Sequence, residues 1–324
     1  MDKSYWGKTF VGFFQELFWH MVAACQGKYG FEDLAVDEIQ IITLSLLGIS
    51  AAIVGSFLVT RKMSMVANAI SHTVLLGVVG SFLILHYFFA RPFSELLEID
   101  MKLLILASII ASLLTMVCID FFNRVLRLSK DASIGLVFTS LFSVGIILVT
   151  VFTKNIHIGA EIIMGNVDMI HKNDIWIALI LVIGNFLCMN LFFKEYLVTS
   201  FDPEFSKLSK ISPVLLNYIV IFQTSLTLVG AFRAIGVVLI LALLIVPPVT
   251  ARLFVSRLKP MIYLSCFIAF VAAVLSVALT RHMVSVYGIP LSTSGLMVTI
   301  LFLIGAISLT SIHINRLCNL KRLS

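Results

Sequence analysis

Charge is the scarcest ingredient of this sequence. Only 12% of its 324 residues are Asp, Glu, Lys or Arg, against about 25% in soluble globular proteins. Half of the usual polar coat is therefore missing. With 60% hydrophobic residues and a mean hydropathy of +1.08, there is too much apolar sequence for one soluble core to absorb. Period-two alternation is missing as well. The apolar runs are continuous over about 20 residues, which argues against a membrane barrel and for an all-α, polytopic membrane bundle. The five cysteines (Cys25, Cys118, Cys188, Cys266, Cys318) are odd in number and form no CxxC. Three of them sit inside apolar runs, where a small buried hydrophobe is a better account than a disulfide or a metal ligand.

Catalytic signatures are absent too: no HExxH, no GxSxG and no glycine-rich nucleotide loop. "GKT" at 7–9 ends like a phosphate-binding loop, but Asp2 stands where its first glycine belongs. "VAAC" at 22–25 resembles a lipoprotein box, yet Gln15, Glu16 and His20 interrupt the apolar region that a signal peptide needs. A membrane-embedded enzyme thus has no visible machinery, and energy-driven work would take its energy from another subunit.

What is present is a series of spans. Apolar runs between polar breaks predict helices over 39–60, 68–90, 101–123, 131–152, 174–193, 214–232, 234–254, 261–280 and 295–314. Residues 5–25 form a weaker, aromatic-rich amphipathic segment that either spans or lies in the interface. The count is eight to ten spans in a single transmembrane domain covering 1–324, with a short N-terminal segment over about 1–38 and a polar loop over about 194–213. A continuous helix over 214–254 would be about 60 Å long, twice the hydrocarbon thickness. "GAFRAIG" (230–236) is therefore expected to turn the chain back.

The net charge of +6 is topological rather than a sign of nucleic acid. Alternate breaks collect 16 of the 23 basic residues, counting Lys3 and Lys8, and the positive-inside rule makes that side cytoplasmic. Both termini are then cytoplasmic if the first segment spans.

Three places hold groups that can do chemistry. Asn68 and His72 stand at i and i+4 on one helical face, and an ionisable group in a span is a functional candidate; the alternative is a histidine hydrogen-bonded to a neighbouring helix. The segment 153–174 holds His157, Glu161, Asp168 and His171, a set that suits a divalent metal but also an ordinary solvated loop. Glu161 stands out because its neighbours are apolar. Pro247 and Pro248 fall inside a predicted span, where they remove donors and kink a helix, either for a pathway or for packing.

The most polar stretch, "KEYLVTSFDPEFSKLSK" (194–210), contains a helix start. Asp202 supplies the N-cap acceptor, Pro203 fits the first helical position, and Glu204 complements the dipole. Phe205, Leu208 and Ile211 then give a short helix an apolar stripe, which packs either on the protein's own spans or on a partner.

Six segments, in order, resemble a known family. "LVTRKMSMVANAISHTVLLG" (58–77) is similar to R-x-M-S-L-x-x-D-A-I-S-H-A-V-L-P-G, and "KDASIGLVFTSLFSVGIIL" (130–148) to E-D-x-x-x-G-I-x-F-x-x-x-F-x-x-G. "IMGNV" (163–167) resembles L-F-G-N, "FDPEF" (201–205) reproduces F-D-P-E-F, and "IGVVLILALLIVPPVTARL" (235–253) is similar to V-G-x-L-L-V-x-A-L-L-V-x-P-A-A-T-A. "YGIPLSTSGLMV" (287–298) resembles D-x-P-x-G-x-x-I. These are the motifs of the integral-membrane permeases of metal-type ABC importers, the ABC-3 family.

The resemblance implies a permease in the inner membrane that moves manganese, zinc or iron as cargo and holds no permanent cofactor. It implies as partners a separate ATP-binding subunit, a second permease subunit in a homo- or heterodimer, and an extracytoplasmic metal-binding protein. His72 is then a metal-pathway residue, and Asp202, Pro203, Glu204 and Phe205 form the helix that couples to the ATPase. The chain departs from the family pattern in having Asn68 for Asp and Leu76 for Pro, so its oxygen at 68 is neutral and the partner subunit would supply a carboxylate. A haem, siderophore or cobalamin permease is the alternative cargo class. A stand-alone secondary transporter is disfavoured, because midspan carboxylates are nearly absent and Asp120 sits near a span end.

Overall fold

The computed structural model describes residues 5, 8–26, 34–89, 101–152 and 167–323. Among them the chain is helical and contains no strand. The helices are α1 (Phe10–Cys25), α2 (Val36–Thr60), α3 (Ser64–Phe89), α4 (Met101–Val125), α5 (Lys130–Phe152), α6 (Lys172–Leu191), α7 (Phe193–Phe201), α8 (Pro203–Leu208), α9 (Pro213–Phe254), α10 (Leu258–Tyr287) and α11 (Thr293–Leu323), with a 3-10 turn at Val167–Met169. Eight segments among the described residues are long and apolar enough to cross a bilayer, with the two halves of α9 counted separately. At 26 residues α3 has the length to cross as well. The all-α bundle expected from the sequence is what the chain forms.

The chain divides into two compact units. Residues 1–56, 166–184 and 234–324 make the first, and 57–165 and 185–233 the second.

In the first unit, α2, the second half of α9 and α10 pack through small residues. Helices in lipid gain nothing from hiding apolar surface, so close backbone approach and inter-helix hydrogen bonds hold them. Ser56 and Ser265 hydroxyls meet at 3.1 Å, and Ala269 approaches Gly48. Gly55 shows why a side chain is forbidden there. A Cβ at this position would overlap the carbonyl oxygen of Leu244 and lie 2.8 Å from its carbonyl carbon. That carbonyl belongs to the residue four before Pro248, which has no N–H to bond it. The helix nonetheless runs through Pro247 and Pro248, and α9's non-helical residue is Gly236, at φ 76°, ψ 164°. A left-handed φ is accessible there because glycine has no Cβ. Where a tight hairpin over 230–236 was expected, the structure shows a kink at the single residue Gly236, and Gly230 stays helical.

Gly55→Ala should therefore remove most of the folded protein from the membrane fraction, whereas Gly184→Ala, where an added Cβ meets nothing within 4 Å, should leave its yield unchanged. Detergent-extracted yield and thermal stability of the two variants measure this. Equal behaviour would show that Gly55 is not held against Leu244.

Also in the first unit, α1 settles the question left open for residues 5–25. Its 16 residues reach about 24 Å, short of the hydrocarbon thickness of ~30 Å. Its contacts at both ends lie on the same end of the unit. Phe10 meets the His282 ring at 6.2 Å and Ser285 donates to the Lys8 carbonyl, while His20 and Tyr5 both reach Glu38, at 2.6 and 2.7 Å. Arg281 and Asp37, next to those residues, are themselves an ion pair. So α1 lies against that end and does not cross alongside the unit. Burial, and after it the bond to Glu38, raises the Tyr5 phenol far above its ordinary pKa, so Tyr5 stays a donor to the carboxylate.

In the second unit α3, α4 and α5 pack on one another. Polar pairs stitch the helices: the Thr115 hydroxyl donates to Thr73 at 2.8 Å, the Ser225 hydroxyl to Ser112 at 2.7 Å, and the Asn185 amide to Thr227 at 2.8 Å. Each pairs polar atoms that lipid could not.

Candidate functional site

Two places in the second unit carry the sequence-predicted residues. The first is α3. Asn68 and His72 are both half-buried and a helical turn apart. The His72 ring packs against Phe138 at 5.1 Å and Phe142 at 5.2 Å, two α5 rings that stack on each other. Aromatic packing fixes the imidazole plane while neither nitrogen is hydrogen-bonded among the described residues. Such an imidazole is free to act as a ligand. Asn68 offers its backbone carbonyl to Ser71 at 2.7 Å. Among the described residues no three His, Cys, Asp or Glu side chains come together as a metal cluster. Glu161, with His157, lies outside the described residues. Asp168 and His171 are described: Asp168 accepts from Thr293 at 2.6 Å, while the His171 backbone N–H donates to Asp174 and its side chain is exposed.

The second place is the polar stretch between α6 and the first half of α9. Residues 194–201 are not loop: they form α7, stacked directly behind α6 with Phe192 between them. Only one residue, Asp202, separates α7 from α8. Its N–H bonds the Val198 carbonyl and closes α7, while its Oδ1 accepts the Phe205 N–H at 2.9 Å and caps α8. The expected N-cap is thus formed, and α8 is six residues long. It ends at a turn where Ile211 N–H bonds the Ser206 carbonyl and Lys210 adopts φ 58°. Ser206 is fully buried, but Phe205 is 54% and Leu208 83% exposed. Phe205 and Leu208 thus stand clear of the chain's own spans, while Ile211 is half-buried. Glu204 is exposed beside it.

Sequence reasoning counted Arg61 only as a topological charge. Its guanidinium instead donates to Ser200 at 3.2 Å, to Asn217 at 2.6 Å and to Thr199, and lies 5.3 Å from the centre of the Tyr196 ring. Tyr196 is buried, packs its ring at a tilt against Phe57 and donates to Gln223. Burial draws Arg61 down to about 10, which leaves it a cation at neutral pH. The signal available beforehand was the Tyr196, Thr199, Ser200 spacing, one polar helical face within an otherwise apolar chain. Arg61 also forms one wall of a cavity of about 520 Å³, with Asp120, Lys130 and Asp131 among its other lining residues.

An all-helical bundle of this hydropathy, with charged residues concentrated near the ends of its spans, defines a polytopic membrane protein. The chain belongs to the ABC 3 transport family, whose model matches residues 38–311. It is 35% identical to a "Probable metal transport system membrane protein" of Chlamydia muridarum, over 97% of this chain and 96% of that one. It is 34% identical to the manganese transport system membrane protein MntD of Bacillus subtilis, over 71% of this chain and 78% of that one. Among solved structures it is similar to PsaBC from Streptococcus pneumoniae in complex with Fab, with a TM-score of 0.69, 28% identity, and coverage of 87% of this chain and 92% of that one.

Proposed function

We propose that this chain is half of the membrane pathway of an ATP-driven importer for divalent manganese or zinc. The observation that carries the proposal is α8: a capped helix of six residues between two spans, presenting Phe205 and Leu208 to water where only a docked subunit would cover them. In this reading ATP is hydrolysed on that docked subunit. Manganese enters through the name of the B. subtilis relative, and zinc through the zinc transport system membrane protein TroD of Treponema pallidum, 31% identical over 62% of this chain and 55% of that one. Those names favour metal over haem, siderophore or cobalamin.

In this proposal His72 faces the metal route, with Asn68 contributing a neutral oxygen and Glu161 a carboxylate. A second permease subunit completes the ligand set, since an imidazole and an amide alone are a weak site for a hard cation. Proteoliposomes holding the assembled transporter, given the binding protein loaded with manganese, zinc or iron in turn, test this. ATP-dependent accumulation of one metal is expected. Accumulation without ATP, or of haem in place of metal, would overturn it.

The proposal also fixes an orientation in the inner membrane. With α1 against one end of the first unit, Lys8 moves to the outer side, and with Lys3 left out the basic count becomes 14 inside against 8 outside. The asymmetry survives and the C-terminus stays cytoplasmic, whereas a spanning first segment would have put Lys8 on the cytoplasmic side. In a background without native cysteines, Phe18→Cys and Met169→Cys should react with a membrane-impermeant thiol reagent added outside, and Leu126→Cys should not. All three positions are well exposed. Labelling of Leu126→Cys alone would invert every loop assignment.

A further inference from the structure

The hydrogen bonds of Arg61 join three parts of the chain that sequence keeps far apart. Ser200 and Thr199 lie in the last turn of α7, immediately before Asp202 and α8. Asn217 lies in the first turns of α9, just after the turn that ends α8. Arg61 itself follows the last residue of α2 and stands three residues before the start of α3. One guanidinium therefore holds both the entry and the exit of α8 against the start of α3.

The partners are neutral, and no carboxylate pairs with Arg61 among the described residues. Charge neutralisation is not its task. A planar fork with five donors can hold three separate acceptors in fixed directions, which an ammonium cannot.

The α2–α3 turn is stiff. Lys62 takes φ 55°, its N–H bonds Val59, and the Met63 N–H bonds Leu58 at 2.8 Å. Helix α3 begins one residue later, with Asn68 and His72 one and two turns along it. On its open side Arg61 meets the cavity of about 520 Å³ rather than packed side chains, so the turn has room to shift. The Tyr196 face and its bond to Gln223 back the guanidinium on the other side.

We propose that Arg61 is a positioning residue that converts displacement of α8 into displacement of α3, and so links ATPase movement to the residues of the metal route. This rests on α8 being the docking helix. The test uses the complete transporter in proteoliposomes, prepared with Arg61→Gln, Arg61→Lys, Asn217→Ala and, as a reference, Phe205→Asp. For each, ATPase recovery, basal ATP turnover, turnover stimulated by the metal-loaded binding protein, and metal moved per ATP are measured. Arg61→Gln should keep recovery and basal turnover but lose about tenfold in the stimulated increment and in metal per ATP, the size of an ordinary coupling between sites. Arg61→Lys should fall between, because a point cation satisfies fewer of the three acceptors. Asn217→Ala, which leaves the cation in place, should lower metal per ATP in the same direction.

Wild-type stimulation in Arg61→Gln would overturn the transmission role, and so would joint loss of recovery and basal turnover, which would make Arg61 a scaffold for docking. Full ATPase recovery with Phe205→Asp would instead overturn the docking assignment of α8, whatever Arg61→Gln does.

Discussion

His72→Ala should abolish ATP-dependent metal uptake while the transporter still assembles. The imidazole is held by Phe138 and Phe142 and leaves both nitrogens unengaged among the described residues, so either can take a ligand. A neutral imidazole suits manganese, iron and zinc alike. Removing a residue that merely orients a ligand lowers metal affinity by about 10- to 100-fold; removing the ligand itself should do at least as much. Alanine leaves the two phenylalanines facing a void, but the Thr73–Thr115 bond and the α3–α4 packing remain. Assembly is therefore expected to survive, and co-purification of the ATPase with the variant checks it. Uptake at the wild-type rate would remove His72 from the route. Asn68→Asp should be tolerated or should tighten metal binding, because it restores a charged oxygen one turn away from the imidazole.

Phe205→Asp should release the ATPase from the detergent-solubilised complex. Exposed aromatics that insert into a partner's pocket commonly carry 2 kcal/mol or more of an interface, so losing one weakens binding by about 30-fold. A carboxylate in the same place adds an unpaired buried charge. Helix α8 itself should persist, because Asp202 still caps it at the Phe205 N–H, a backbone group that the substitution leaves in place. Glu204→Lys acts on the same helix through the dipole, worth about 0.3–1 kcal/mol, and should weaken recovery less. Membrane insertion should be unaffected in both. ATPase recovery and turnover stimulated by the loaded binding protein provide the measurement, and full values in Phe205→Asp would reduce α8 to a surface turn.

The spans were legible because charges mark their ends: Arg61 and Lys62 close α2, and Lys130 opens α5. The start of α8 was legible because Asp-Pro is a local signal with a local cause. Residues 194–201 were misread as loop because their polarity was attributed to solvent. In the structure it serves contacts: Tyr196 reaches Gln223, and Thr199 and Ser200 receive Arg61. The same limit hid Arg61, whose partners lie 138 to 156 residues away. Periodicity says which face of a helix is polar, and nothing about what approaches it. Residues 5–25 were ambiguous for a different reason: their apolar content suits either a short span or a helix lying flat, and only the contacts of Phe10 and His20 to one end of the first unit separate the two.

The contact between Gly55 and the Leu244 carbonyl places an order on how this sequence can drift. Pro248 cannot supply an N–H to that oxygen, and the oxygen occupies the space a side chain at 55 would need. The crowding does not end with the oxygen: a methyl group at 55 would also lie 2.8 Å from the Leu244 carbonyl carbon and 3.1 Å from its Cα. An N–H restored at 248 would bond the oxygen but leave those two carbons where they are. Two positions nearly 200 residues apart in sequence are thereby tied in heredity, and alanine at 55 must wait for changes that move the helix carrying Leu244 as a whole.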